Sequence, residues 1–137
     1  MRRLLMLVAA VCLLAGAAYA QDPVKVDPAH YKVVFENAQV RVLKIHYGPH
    51  EKSVMHVHPD SVVTYLTDAT TKFTMPDGTT QVRTGKAGEA LWTPAETHLP
   101  ENIGDTAFEA TLVELKHRPA THTAMKTPPA TQPKQGS

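Results

Sequence analysis

The sequence predicts an all-β protein whose short strands close into a jelly roll or related barrel. Three observations carry that expectation. Short runs rich in Val, Thr, Tyr and Leu alternate with Gly, Pro and Asp punctuation, at the spacing of strands in a sandwich or barrel. Pro76-Asp77-Gly78 forms a tight-turn signal between two such runs, with Gly78 available for a positive φ. After the first twenty residues, no stretch sustains the 3.6-residue apolar spacing of a long helix.

Taken in order, the runs predict strands over 31–36, 39–47, 53–58, 61–67, 71–75, 79–83, 89–93, 98–103 and 108–115. So many short strands must stack or close to hide their edges. They occupy residues 32–117 almost entirely, after a lead-in over 21–31. Residues 118–137 (RPATHTAMKTPPATQPKQGS) are rich in Pro, Thr and Gln without apolar periodicity, and read as a disordered tail. A chain of 137 residues accommodates one such domain.

Residues 1–20 read as a signal peptide. Met1-Arg2-Arg3 gives a positive start, an apolar run follows, and Ala18-Tyr19-Ala20 is an A-x-A cleavage site. The apolar run falls short of the roughly 20 residues of a spanning helix. Twin-arginine export is a poor match, because no Ser or Thr precedes the pair. Cys12, inside the apolar run, is misplaced for a lipoprotein. The expected product is periplasmic or secreted and, after cleavage, free of the membrane. Losing Arg2 and Arg3 would leave 12 basic against 13 acidic residues, a formal charge of −1. That balance offers no basic stripe for a nucleic acid. Cys12 is the one cysteine, so disulfides, thiol nucleophiles and thiolate metal sites are excluded from the mature chain. All eight histidines remain.

His56-Val57-His58 carries the chemistry. At i and i+2 on a strand, both imidazoles project from one face, and paired imidazoles suit Zn, Fe, Cu or Ni. A third histidine, His98, follows the turn at Pro94, with Asn102 four positions beyond. In these segments, and over residues 40–115 as a whole, the chain resembles the cupin superfamily. The first cupin motif is matched by Gly48 and the pair His56 and His58, with a slightly longer gap between them. The second is matched by Gly88, Pro94, His98 and Asn102. The resemblance implies a cupin-type jelly-roll β-barrel (a double-stranded β-helix) and one divalent metal ion on His56, His58 and His98.

Two departures from the family pattern bear on the site. The family's glutamate ligand falls at Val62, which cannot bind a metal, and the Pro94-Ala95-Glu96 turn is one residue short. What remains resembles the three-histidine centres of some non-haem iron dioxygenases in the superfamily. Glu96, two residues before His98, is either a substitute carboxylate ligand or a solvated turn residue. His50 is either a further ligand or an exposed loop histidine. Asn102 is expected to hold a loop through side-chain to backbone bonds. Tyr65 and Trp92 read as core residues in preference to substrate platforms, and His30, His46, His117 and His122 as exposed.

Three imidazoles leave an open coordination position. The expected function is therefore a dioxygenase-like or isomerase-like enzyme acting on a small molecule. The alternatives are a non-catalytic module binding a metal or small ligand, and a scaffold with a degenerate site. A homodimer is compatible with each of them.

Overall fold

The computed structural model describes residues 21–116; the expected signal peptide and tail, with His117 and His122, lie outside them. Nine strands are seen among the described residues: β1 (Tyr31–Glu36), β2 (Val40–Tyr47), β3 (His56–His58), β4 (Ser61–Tyr65), β5 (Ala69–Thr74), β6 (Thr80–Gly85), β7 (Ala90–Thr93), β8 (Glu96–Asn102) and β9 (Phe108–Leu115). The one helix among the described residues, α1 (Pro23–Val26), is a single turn in the lead-in. Asp22 caps it, accepting from the Val24 amide at 3.0 Å, and a proline opens it.

The strands form a five-stranded sheet in the order β1-β2-β9-β4-β7 and a four-stranded sheet in the order β3-β8-β5-β6. Neighbours pair antiparallel. The hairpin between β5 and β6 closes as its sequence requires. Gly78 takes φ 85°, and Asp77 Oδ1 accepts from the Thr79 amide at 2.9 Å.

The third strand is shorter than expected, because regular pairing with β8 is interrupted at residues 54 and 55 although the Ser53 amide still donates to the Pro100 carbonyl. There the Val54 carbonyl accepts from the His56 side chain and Ser53 hydrogen-bonds Asp27. The eighth strand begins earlier than expected, at Glu96, and so carries both Glu96 and His98.

The two sheets contribute differently to the interior. Leu43, Ile45, Val63, Tyr65, Phe108 and Leu112, all from the five-stranded sheet, supply most of the buried apolar core. The four-stranded sheet turns mainly polar groups inward: His56, His58, Thr71, His98 and Asn102 are all buried. Burial of the apolar set drives closure, while the polar set must be matched by hydrogen bonds. Asn102 is matched fully. It donates to the carbonyls of Gly48 and Thr106 at 2.9 and 2.8 Å and accepts from the Gly104 amide at 3.0 Å. It is the loop-holding residue expected.

Gly85 packs directly beneath the Tyr65 ring, leaving no space for a Cβ. Gly85→Ala should therefore destabilise the domain by about 1–3 kcal/mol through overpacking, read as a lower midpoint in urea unfolding. Gly88→Ala has open space around it; its cost should be confined to the strain of a positive φ.

Candidate metal centre

The antiparallel ladder of β3 and β8 assembles the site. His56 stands directly opposite His98, and His58 opposite Glu96. Because side chains alternate along a strand, this register sets all three imidazoles on one inward face. Their ring centroids are 4.9 Å (His56–His58), 5.1 Å (His56–His98) and 5.5 Å (His58–His98) apart. One nitrogen from each lies within 4.8 Å of the others.

The other ring nitrogens fix which face inward. Nδ1 of His58 donates to Glu114 Oε1 at 2.7 Å, and Nδ1 of His98 to Glu96 Oε1 at 2.7 Å. Nδ1 of His56 donates to the Val54 carbonyl at 2.8 Å. Carboxylates and carbonyls only accept, so each Nδ1 carries a hydrogen and each Nε2 is the nitrogen left for the inward side. His56 Nε2 is buried without any partner. An orphaned buried acceptor costs about 1–3 kcal/mol, and a metal ion at this point would satisfy it. Burial, reinforced by the neighbouring imidazoles, lowers the His56 pKa to about 3. Burial likewise holds His98 at about 4. At neutral pH both rings are therefore unprotonated, the form that binds metal.

Glu96, read as either a substitute ligand or a solvated turn residue, lies behind His98 and outside the converging group. Its hydrogen bonds explain this. Arg83 Nη1 and Nη2 donate to its two oxygens at 2.9 and 2.8 Å, while His98 takes Oε1. His50 is also outside the group; it is exposed and meets Asp105 at 2.9 Å. Val62 is half-buried on β4, facing away from the buried Ser61 and Val63.

Glu114 was missed in the sequence, although its position was legible. Phe108, Ala110 and Leu112 alternate inward along β9, and Glu114 continues that register. It is 2% exposed and is held by Arg41 Nε at 2.6 Å, while Arg41 Nη1 reaches Asp22 at 2.7 Å. Two parallel chains result, Arg41–Glu114–His58 and Arg83–Glu96–His98. Each orients a histidine through a carboxylate that an arginine neutralises. These partners hold both carboxyls below their ordinary range against the opposing effect of burial.

Beside the histidines lies a cavity of about 290 Å³. His58 and His98 line it, with Tyr31, Tyr65, Phe73 and Trp92 among its walls. The hydroxyls of Tyr31 and Tyr47 meet at 2.8 Å, and burial raises both pKa values, so both stay protonated. Tyr65 is a core residue as expected, but Trp92 is 56% exposed. His30, expected to be exposed, stacks on Tyr47 at 4.1 Å and hydrogen-bonds Asp27. His46 is exposed as expected.

The chain matches no protein-family model and no curated protein sequence. Solved structures do match it. A cupin domain from Bordetella pertussis Tohama I superposes with a TM-score of 0.59 at 25% identity, over 64% of this chain and 92% of that one. An RmlC-like cupin family protein with a double-stranded β-helix fold, from Methanocaldococcus jannaschii, gives a TM-score of 0.52 at 17% identity, over 64% and 79% of the two chains. The described domain has the cupin fold, an all-β double-stranded β-helix. Its three buried histidines lie close enough together to hold a metal ion.

In the metal-free protein, depressed histidine pKa values make stability depend on pH. The unfolded chain takes up protons near pH 6.5 that folded His56 and His98 refuse until about pH 3–4. Stability is therefore full above pH 6.5 and should fall as pH drops through that window, by up to about 1.4 kcal/mol per pH unit for each imidazole. Urea midpoints from pH 7.5 to 4.5 check this. Glu114→Gln should weaken metal affinity by about 10–100-fold, as loss of a histidine-orienting carboxylate does. Competition with a chromophoric chelator measures that change.

Proposed function

We propose that the protein is an exported cupin with a mononuclear divalent metal centre on His56, His58 and His98, acting on a small molecule as a dioxygenase-like or isomerase-like enzyme. The single observation that carries the metal is His56 Nε2, buried, unprotonated and without a partner where two further imidazoles converge. When bound, the ion would activate O2 or polarise a substrate oxygen. Each part of the chain has a distinct task. The three histidines would hold the ion, Glu114, Glu96 and the Val54 carbonyl keep the rings turned toward it, and the apolar walls limit water.

Neutral imidazoles without a ligating carboxylate favour Zn, Fe, Ni or Cu over Mn. The reading of export rests on Met1-Arg2-Arg3, the apolar run and Ala18-Tyr19-Ala20. A second reading, a binding module without turnover, draws on a specific feature. Both carboxylates beside the histidines are committed to arginines, so neither is a free general base.

Purified protein incubated separately with Zn, Fe(II), Ni and Cu should retain about one ion per chain. The double variant His56→Ala/His58→Ala should lose it. Sub-stoichiometric metal that is unchanged in the variant overturns the centre. Oxygen uptake by the Fe(II) form with diketones, phenols and thiols separates enzyme from binder: tight metal retention without turnover favours the module.

A further inference from the structure

The register of the five-stranded sheet lines up one residue from each strand on its outer face. Phe35 pairs with Val42, Val42 with Val113, Val113 with Val62, and Val62 with Trp92. Leu43, Leu112 and Val63, the next residues along or back on the three inner strands, are buried, so alternation turns Val42, Val113 and Val62 outward. The row crosses all five strands, a span of about 19 Å. Its ends are rings: Phe35 is 54% exposed on the edge strand β1, and Trp92 is exposed on the edge strand β7, where it also borders the cavity. A continuous apolar band marks an interaction surface, whereas apolar residues exposed singly need no explanation. The outer face of the four-stranded sheet differs, for Lys72 and Glu101 pair there at 2.8 Å.

Three features fit this band to a second copy of the same chain. A bulge between Val33 and Phe35 breaks the regularity of β1, which blunts that edge against an added strand and leaves the face for contact. The band is also self-matching, as an isologous interface must be. A two-fold axis along β9, the middle strand, sets Phe35 over the partner's Trp92, Val42 over the partner's Val62, and Val113 over its own counterpart. Side-chain size follows the gap to be filled. The outer face of a barrel sheet is convex, so two such faces approach most closely at the central valines and diverge toward the terminal rings. Charge agrees as well. In the next outward row, the same axis sets Lys32 and Lys44 over the partner's Ala90 and the partner's Thr64, away from any partner cation. A formal net charge of +1 gives little long-range repulsion between copies.

We propose that the outer face of the five-stranded sheet is a homodimer interface, on which two copies pack face to face about a two-fold axis along β9. The dimer stands apart from the proposed function and requires neither an ion nor turnover.

Sedimentation of the purified protein across the micromolar range tests it, and should show a concentration-dependent equilibrium between monomer and dimer. Emission from Trp92, the chain's one tryptophan, should move to shorter wavelength as the dimer fills. Phe35→Lys and Trp92→Glu, both at exposed positions and so compatible with folding, should each weaken the dimer at least about tenfold. Mixing the two variants should restore it. The axis along β9 sets the new lysine against the new glutamate at one end of the band and keeps Phe35 against Trp92 at the other. Val82→Lys, at an exposed apolar position on the other sheet, should leave the dimer unchanged. A monomer at every concentration overturns the proposal, as does a dimer that survives both single variants. Failure of the mixed variants to associate, or loss of the dimer in Val82→Lys, overturns it equally.

Discussion

Three imidazoles buried side by side can share one ion only if all are turned the same way. The Nδ1 hydrogen bonds impose that orientation, burial keeps His56 and His98 neutral, and much of the surrounding structure serves to make those bonds. His58 needs Glu114, and a carboxylate that is 2% exposed needs a cation, so Arg41 crosses to it and is itself tethered to Asp22. Because Asp22 also caps α1, the lead-in becomes part of the support. On the other side His98 needs Glu96, which needs Arg83, which packs over Phe73 in the cavity wall. Charges buried this deeply are tolerated only when paired and hydrogen-bonded.

The division of labour between the sheets follows from the same constraint. A sheet face that presents His56, His58, His98, Thr71 and Asn102 cannot drive closure by burying hydrocarbon. The five-stranded sheet provides that drive instead, through Leu43, Ile45, Val63, Phe108 and Leu112. The two inner faces do not fill the space between them completely, and the remaining cavity lies against the histidines. Stability and chemistry are thereby assigned to opposite faces of one interior. The exceptions are Glu114 on β9 and Arg41 on β2, which reach from the five-stranded sheet to His58.

Glu96 shows how one residue can satisfy a sequence pattern for a different physical reason. Its spacing from His98 puts the two on a common face of β8. A carboxylate two residues from a ligand reads equally well as a second ligand or as a partner of the ligand's far nitrogen. Arg83 decides between them by engaging both oxygens, one of which it shares with Nδ1 of His98. Arg83 sits on β6, paired to the site only through β5, so nothing in the linear spacing announces it.

The sequence by itself determined the strand pattern, the turn at Gly78, the pairing of His56 with His58 and the loop-holding role of Asn102. Each of these follows from local rules: alternation along a strand, the φ of a turn, the hydrogen-bonding reach of a short amide. Only the tertiary structure decided that Glu114 and Arg41 belong to the site, that His30 is tucked against Tyr47, and that Trp92 is exposed and not in the core. Those facts depend on which strands become neighbours and on which edges are left uncovered. Glu114 and His58 are 56 residues apart along the chain and 2.7 Å apart in the fold, and strand order, not spacing, brings them together.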